Sequence, residues 1–581
     1  MATPIGSLQA PRTVPKLSRN DIEALIARGR HVFLLDGNVI RADPWLKYHP
    51  GGPKAIEHMV GRDATDEVKA LHSQEAQNRM LTYRIGRYEG RWQNFVPPIQ
   101  GGTFRNTQEL ETVQLTSQLA AEDVSSEESS PLPSPIFDPV DATSTARQRR
   151  RMTRRESDGA SSATSISSRD LQDDDDDEPK MSHMDLRTRD EIRLDLAKYP
   201  SLDPEMQGDI VRKYRLLYKR IQDEGLFNCN YTAYVWEVLR YSLLFLTSQY
   251  FLRKAWTLSG WSATGSCALS AVFLGLFWHQ LVFTAHDAGH MGITHSYHGD
   301  SVIGIIIADF LGGLSLGWWK RSHNVHHIVT NSPEHDPDIQ HMPFFAISHR
   351  FLESLRSTYY ERIMTFDAFS KFVIGVQSWL YYPILSFGRF NLYRLSWEYL
   401  LTDQAPSKGP AWWHRYFELV GQVFFWSWFG YGILYRSLPT NFDRIMFLLV
   451  SHAMTLPVHV QITLSHFAMS TADLGVNESF PQKMLRTTMD VDCPQWLDFI
   501  HGGLQFQAIH HLYPRIPRHN LRRTQKLVQE FCDDVGIPYA IYGFVDGNKK
   551  VLGVLDDVSR QAAILAQCQR TLAASKDYGL H

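Results

Sequence analysis

The chain has 581 residues, long enough for two or three domains. Its 59 Lys and Arg nearly balance 62 Asp and Glu, so bulk charge gives no support for a nucleic-acid ligand. Five cysteines (Cys229, Cys267, Cys493, Cys532, Cys568) without a CxxC pair speak against a disulfide scaffold or a cysteine-rich zinc module, whereas 25 His and 15 Trp favour metal ligation and membrane interfaces.

The opening run MATPIGSLQAPRTVPKLSRND lacks an apolar core, so no cleaved secretory signal is expected. Residues 16–95 alternate short apolar runs with charged, helix-like stretches and read as a small α+β domain. Within HVFLLDGNVI, Asp36-Gly37 between two apolar runs is a hairpin signal. Residues 101–190 hold EDVSSEESSPLPSP, RQRRRMTRR and DDDDDE, with few residues able to form a core, and read as a disordered linker. Arg154-Arg155-Glu156-Ser157 inside it matches a kinase-site pattern.

Residues 191–545 change character, which the mean hydropathy of −0.27 for the whole chain conceals. Apolar stretches fall at 235–253, 262–285, 301–319, 372–388, 419–436 and 445–465, several close to the ~20 residues that cross a hydrocarbon core. Trp256, Trp261, Trp318, Trp319, Trp379, Tyr381 and Tyr382 crowd their ends, as interface residues do. Residues 546–581 read as a C-terminal tail.

Two sets of histidines carry the chemistry. In the first domain, His49 precedes Pro50-Gly51-Gly52, a turn able to present the imidazole into a pocket, and His72 follows 23 residues later. Two such rings can close both axial positions of one haem, which suits electron transfer; a pair of structural histidines is the other reading. HPGG, the stretch Gly61-Arg62-Asp63-Ala64-Thr65 and the following His resemble the cytochrome b5 domain over about residues 16–90. That resemblance implies haem b with His49 and His72 as axial ligands. Glu57, Asp63, Asp66 and Glu67 would form an acidic rim for a reductase.

The second set is three boxes: His286-Asp-Ala-Gly-His290, His323-Asn-Val-His326-His327 and Gln507-Ala-Ile-His510-His511. Helical spacings of three and four put each box's rings on one face. A chain of this composition would contain roughly 0.05 HxxHH patterns by chance. Neutral imidazoles suit iron, copper or zinc, and seven exceed the needs of one metal, so a two-metal centre is expected.

Sharing one site requires all boxes on one side of the bilayer. The single apolar stretch 301–319 between the first two boxes is therefore expected to enter the membrane without crossing it. By the same parity, only two of the three later stretches cross, giving four spans. The basic run YPRIPRHNLRRTQK after the third box favours the cytosolic side.

These boxes resemble those of the membrane fatty-acyl and sphingolipid desaturase/hydroxylase superfamily over about residues 235–545. The resemblance implies an all-α membrane domain with four transmembrane helices and a cytosolic cap. It also implies two non-haem irons that activate O2 to take hydrogen from an unactivated methylene pair. A further ligand from a late apolar stretch is implied, and His466 in QITLSHFAMS matches it. Gln507, standing where other boxes have a first His, marks the front-end and sphingolipid branch. His452, His459 and His501 match less well. His295, His298, His335 and His341 fit no ligand spacing and read as solvated or supporting.

HNVHHIVTNSPEHDPDIQHMPFFA and VDCPQWLDFIHGGLQFQAIHHLYPRIPRHNLR look most like the fungal delta-8 sphingolipid desaturases, which act on the long-chain base of ceramides and give a trans product. Front-end fatty-acyl desaturases usually have Ile-Glu inside QxxHH, where this chain has Ala508-Ile509. Without a Gly-rich dinucleotide motif, electrons are expected from a separate NAD(P)H-dependent cytochrome b5 reductase. The linker would let the haem domain shuttle between that reductase and the metals. Endoplasmic reticulum residence follows from the resemblance. A front-end fatty-acyl desaturase, a hydroxylase using the same centre and a non-enzymatic haem-bearing lipid receptor are the competing readings.

Overall fold

The structure, a computed structural model, describes residues 14–111 and 182–577. Most of the expected linker, with its kinase-site pattern, lies outside the described residues. Residues 14–104 and 183–567 belong to one compact unit. The described residues of a second unit are 105–111, which include a short helical segment, residue 182 and the end of the last helix, 568–577.

The N-terminal part is α+β. Helix α1 (Arg19–Ala27) is started by a capping box in which Ser18 and Asp21 satisfy each other's backbone N–H groups. Strands β1 (Val32–Leu35) and β2 (Asn38–Arg41) pair antiparallel. The turn between them has Asp36 at φ 48° and Gly37 at φ 71°, the left-handed pair that a two-residue hairpin requires. Helices α2 (Pro53–Glu57), α3 (Thr65–Leu71) and α4 (Gln74–Leu81) follow, and β3 (Arg84–Arg87) closes the sheet beside β2.

The rest is helical but not wholly so. Helix α5 (His183–Lys198) begins inside the segment expected to be linker, and α6 (Pro204–Asp223) buries Ile210, Tyr214, Leu217 and Ile221 along one face. Helices α7 (Tyr231–Ala255) and α8 (Trp261–Gly289) form an antiparallel pair. Helix α9 (Tyr297–Ile305) continues as a wider helical turn to Leu311, then α10 (Leu316–Val329) turns back. After α11 (Ala368–Gly375), α12 (Gln377–Ser386) and α13 (Gly388–Leu401) comes α14 (His414–Phe425), extended helically to Ser437. Helices α15 (Asn441–Ala453), α16 (Leu456–Phe467) and α17 (Phe480–Thr487) lead to a two-stranded parallel sheet, β4 (Asp490–Asp492) with β5 (Ile541–Gly543). Between those strands lie α18 (Gln507–Leu512) and α19 (Leu521–Val535).

This small sheet departs from the expected all-α domain, and it has a local cause. Buried Asp490 accepts from the backbone of Ala508 at 2.9 Å and from Gln525 Nε2 at 2.7 Å, so β4 pins the start of the third-box helix. The described part of the expected tail is helical, as α20 (Phe544–Asp577), because Val551, Leu555 and Val558 bury one face against Ile374 and Leu385.

Among the described residues, two helical runs are long and apolar enough to cross a membrane, Trp261–Gly289 and Asn441–Phe467. The α9–α10 pair passes the same test only as one unit and is bent by 116°, inside the stretch expected to enter without crossing. Large apolar side chains face outward on α7 (Trp236 at 71 %, Leu243, Leu246), α12 (Trp379 at 84 %) and α14 with its extension (Val420, Val423, Tyr435), as a lipid-facing surface demands.

Candidate metal centres

In the N-terminal domain, His49 ends a short turn and His72 ends α3, so neither ring is tied to a helix face. Gly52 at φ 76° makes the sharp turn possible. His49 donates from Nδ1 to the Gly52 carbonyl at 2.9 Å, and His72 from Nδ1 to the Val68 carbonyl at 3.2 Å. Each ring thereby offers Nε2 as the free nitrogen. The rings face one another with centroids 5.9 Å apart, beside Trp45, Leu46, Leu71 and Tyr83. Burial lowers His49, and burial with the neighbouring imidazole pushes His72 down to about 3, so both are neutral, the ligating form. Imidazole nitrogens bind first-row metals at about 2 Å, and the gap between the rings suits one such ion.

The expected acidic rim is open only in part, with Glu57 and Asp63 half-exposed. Asp66 and Glu67 are buried, and Asp66 accepts a bidentate pair of bonds from Arg215 of α6 at 2.8 and 3.1 Å. This face of the domain is covered by the helical part of the same chain.

In the helical part, four helices bring eight imidazoles together. Helix α8 supplies His286 and His290, α10 supplies His323, His326 and His327, α16 supplies His466, and α18 supplies His510 and His511. Their ligand atoms form two groups, each within 4.8 Å: His286, His290, His323 and His510, and His326, His466 and His511. His327 lies between them, with Nε2 3.1 Å from His323 Nε2 and its ring 4.3 Å from that of His511.

The donor set fits metal ions. His290 Nε2, His327 Nδ1, His466 Nδ1 and His510 Nε2 are buried without a hydrogen-bond partner, an arrangement that is costly unless another group satisfies them. Burial and the adjacent rings push His510 and His511 well below the ordinary histidine value, which keeps them neutral.

Two carboxylates orient the second box. His326 donates from Nδ1 to Asp336 at 2.8 Å and His323 from Nδ1 to Asp338 at 3.2 Å, leaving both Nε2 atoms directed inward. Asp338 also falls in a third grouping with His323 and His326. Asp336 is itself fixed by the backbone N–H groups of Asn331 and Asp338, both at 2.8 Å. Neither Asp was singled out from the sequence, although the Asp-Pro-Asp just after a histidine box is a readable signal. Trp319 stacks on His323 with centroids 4.5 Å apart. Arg518, buried between Asp287 and Glu237, ties the first box to the segment after the third.

The remaining histidines stand outside both groups. His452 bonds to Tyr393 and the Leu448 carbonyl, His459 donates to the Leu385 carbonyl, and His501 meets Gln461. His295 donates to the Met291 carbonyl, His298 meets His414, His335 meets Thr358, and His341 packs on Phe467. Gln507 is buried at the first position of α18, one turn before His510. Ala508 and Ile509, where an acid would stand in front-end relatives, are buried in the apolar cluster that includes Tyr214 and Leu512.

Two families match the chain: "Cytochrome b5-like Heme/Steroid binding domain" over residues 18–89 and "Fatty acid desaturase" over residues 261–543. The chain is 62 % identical over 565 residues to a Delta 8-(E)-sphingolipid desaturase of Emericella nidulans, covering 97 % of this chain and 98 % of that protein. Proteins of the same description from Kluyveromyces lactis and Candida albicans are 46 % and 45 % identical, covering 96 % and 97 % of this chain and 95 % and 97 % of theirs.

Proposed function

The chain belongs to the fatty acid desaturase family, with a cytochrome b5-like domain fused at its N-terminal side, and from that premise we propose that it inserts a trans double bond at the 8,9 position of a sphingolipid long-chain base. The observation that carries this reading is the convergence of eight imidazoles, seven of them in two adjoining groups with His327 between, in a chain similar over nearly its whole length to proteins described as Delta 8-(E)-sphingolipid desaturases. Ceramide or another sphingolipid is the substrate and O2 the oxidant.

His286, His290, His323 and His510 would hold one iron and His326, His466 and His511 the other, with His327 available to either. Bound there, the irons supply O2 activation and hydrogen removal from an unactivated methylene pair; O2, two electrons and two protons are consumed and two waters released. The chain's own groups prepare that chemistry. Asp336 and Asp338 fix the tautomers of His326 and His323 and make those rings stronger donors. Burial of most of these rings keeps bulk water from the nitrogens that would hold the irons. His49 and His72 would hold haem b for one-electron transfer, supplied by a separate NAD(P)H-dependent reductase.

Four spans accommodate the boxes on one side: α7, α8, the α14 run to Ser437, and α15 with α16. The bent α9–α10 pair enters without crossing, and α11–α12 lies along the surface with Trp379 outward. The basic segment after the third box favours the cytosol, in the endoplasmic reticulum membrane.

Long-chain-base profiling in a yeast without sphingolipid desaturases tests the reading. The native chain should add an 8-unsaturated base that its His326→Ala form does not. A hydroxylated base, or polyunsaturated acyl chains in place of the new base, would overturn it.

A further inference from the structure

The N-terminal domain packs on the back of the helix that carries the second histidine box. From α10, Val325, Ile328 and Val329 join Phe33, Ile56 and Met59 in one apolar cluster, while His323, His326 and His327 belong to the metal groups. The turn after His49 lies directly on this helix. A Cβ at Gly51 would be 2.6 Å from Asn324 Nδ2, and one at Gly52 would be 3.1 Å from Arg321 Cγ. On the other side, Arg515, four residues beyond His511, donates from Nη1 to the His72 carbonyl at 3.1 Å.

Two cations in this seam lack a carboxylate partner. Lys320, next along α10 from Trp319, is 9 % exposed, and among the described residues it makes no hydrogen bond or salt bridge. Its ammonium sits 5.3 Å over the Tyr297 ring, and it lines a small cleft with Pro50 of the haem domain. The acids nearest in field are committed elsewhere: Asp300 to the N–H groups of Thr294 and His295, Glu418 to Ser315 and the Gly317 N–H. Arg515 forms no salt bridge, and its Nε is buried without a partner. The Lys320 charge acts on the His49 ring and the Arg515 charge on the His72 ring, so the two cations flank the pair of candidate axial ligands.

A cation held in a buried or half-buried seam without a counter-charge is costly, and haem b brings two carboxylates on its propionate arms. We propose that Lys320 and Arg515 of the desaturase part receive the propionates of the haem held by His49 and His72, so that the haem site is completed by the second-box helix and the segment after the third box. The proposal rests on the reading of His49 and His72 as haem ligands. It makes the packed arrangement the electron-delivering one, with the haem fixed beside two of the three boxes. It also sets the haem potential, because positive charge beside the porphyrin favours the state with the added electron.

Redox titration of the full chain, followed by haem absorbance, tests this. Lys320→Met and Arg515→Met should each titrate at a lower potential than the native chain, Lys320→Arg and Arg515→Lys should return most of the shift, and Arg436→Met, an exposed cation elsewhere, should leave it unchanged. The two sites are read independently, so failure of one variant to fold leaves the other decisive. Met variants with native haem content and spectrum that titrate at the native potential would overturn the proposal. A native chain without haem absorbance would instead remove its premise.

Discussion

The two histidine sites use the same side chain under different restraint. His49 and His72 are held by backbone carbonyls of Gly52 and Val68, neutral acceptors that fix the tautomer and add little charge. His326 and His323 are held by the carboxylates of Asp336 and Asp338, which push electron density toward the inward nitrogens. A closed pair of neutral ligands suits a centre that only passes electrons, and carboxylate-backed ligands suit metals that reach high oxidation states on O2. The contrast teaches that the same imidazole can be set apart by the acceptor behind it, a carbonyl in the N-terminal domain and a carboxylate at two rings of the second box.

The largest effect expected from breaking this contrast is at the histidines proposed as ligands. His326→Ala or His511→Ala should reduce 8-unsaturated base to background while leaving haem absorbance intact, whereas His72→Ala should abolish the haem spectrum and spare non-haem iron. Absorbance and elemental analysis of the purified chains check both.

Next comes the acceptor itself. Asp336→Asn keeps a hydrogen-bonding group but removes the charge, and about a 10- to 100-fold loss in metal affinity or turnover is expected. Haem absorbance should not move.

A smaller effect is expected where the two parts meet. Arg215→Ala leaves buried Asp66 without its bidentate partner, at a cost of about 1–3 kcal/mol, and should slow reoxidation of reduced haem in stopped-flow measurements. The charge-swapped pair Asp66→Arg with Arg215→Asp should recover part of that rate.

The smallest concerns pH. Burial raises the Glu67 carboxyl from 4.5 to about 7, so ionisation in the unfolded chain withdraws stability as pH rises from about 4.5 to about 7. Glu67→Gln should therefore raise the thermal midpoint of the haem signal at pH 8 and leave it unchanged near pH 4.

The parts of this contrast that the sequence displays are local ones. HPGG, the hairpin at Asp36-Gly37 and the three boxes follow from turn chemistry and from rings three or four residues apart on a helix. Parity of crossings singled out 301–319 as a stretch that enters without crossing, and a 116° bend falls inside it. What the sequence hides is long-range. Arg215 lies 149 residues from Asp66 and Arg515 lies 443 residues from His72, so no window of sequence brings them together. The helix in the expected tail was hidden because its apolar face is sparse and is explained only by its partners on α11 and α12. Asp336 and Asp338 were visible as letters, but their role depends on the chain turning back onto α10.

The most direct test of the account is metal stoichiometry. The purified native chain should carry one haem and two non-haem irons, and His466→Ala should lose close to one of the two while keeping the haem. A native chain with one non-haem iron or none, or a His466→Ala form that keeps both, would contradict the assignment of two adjoining metal sites.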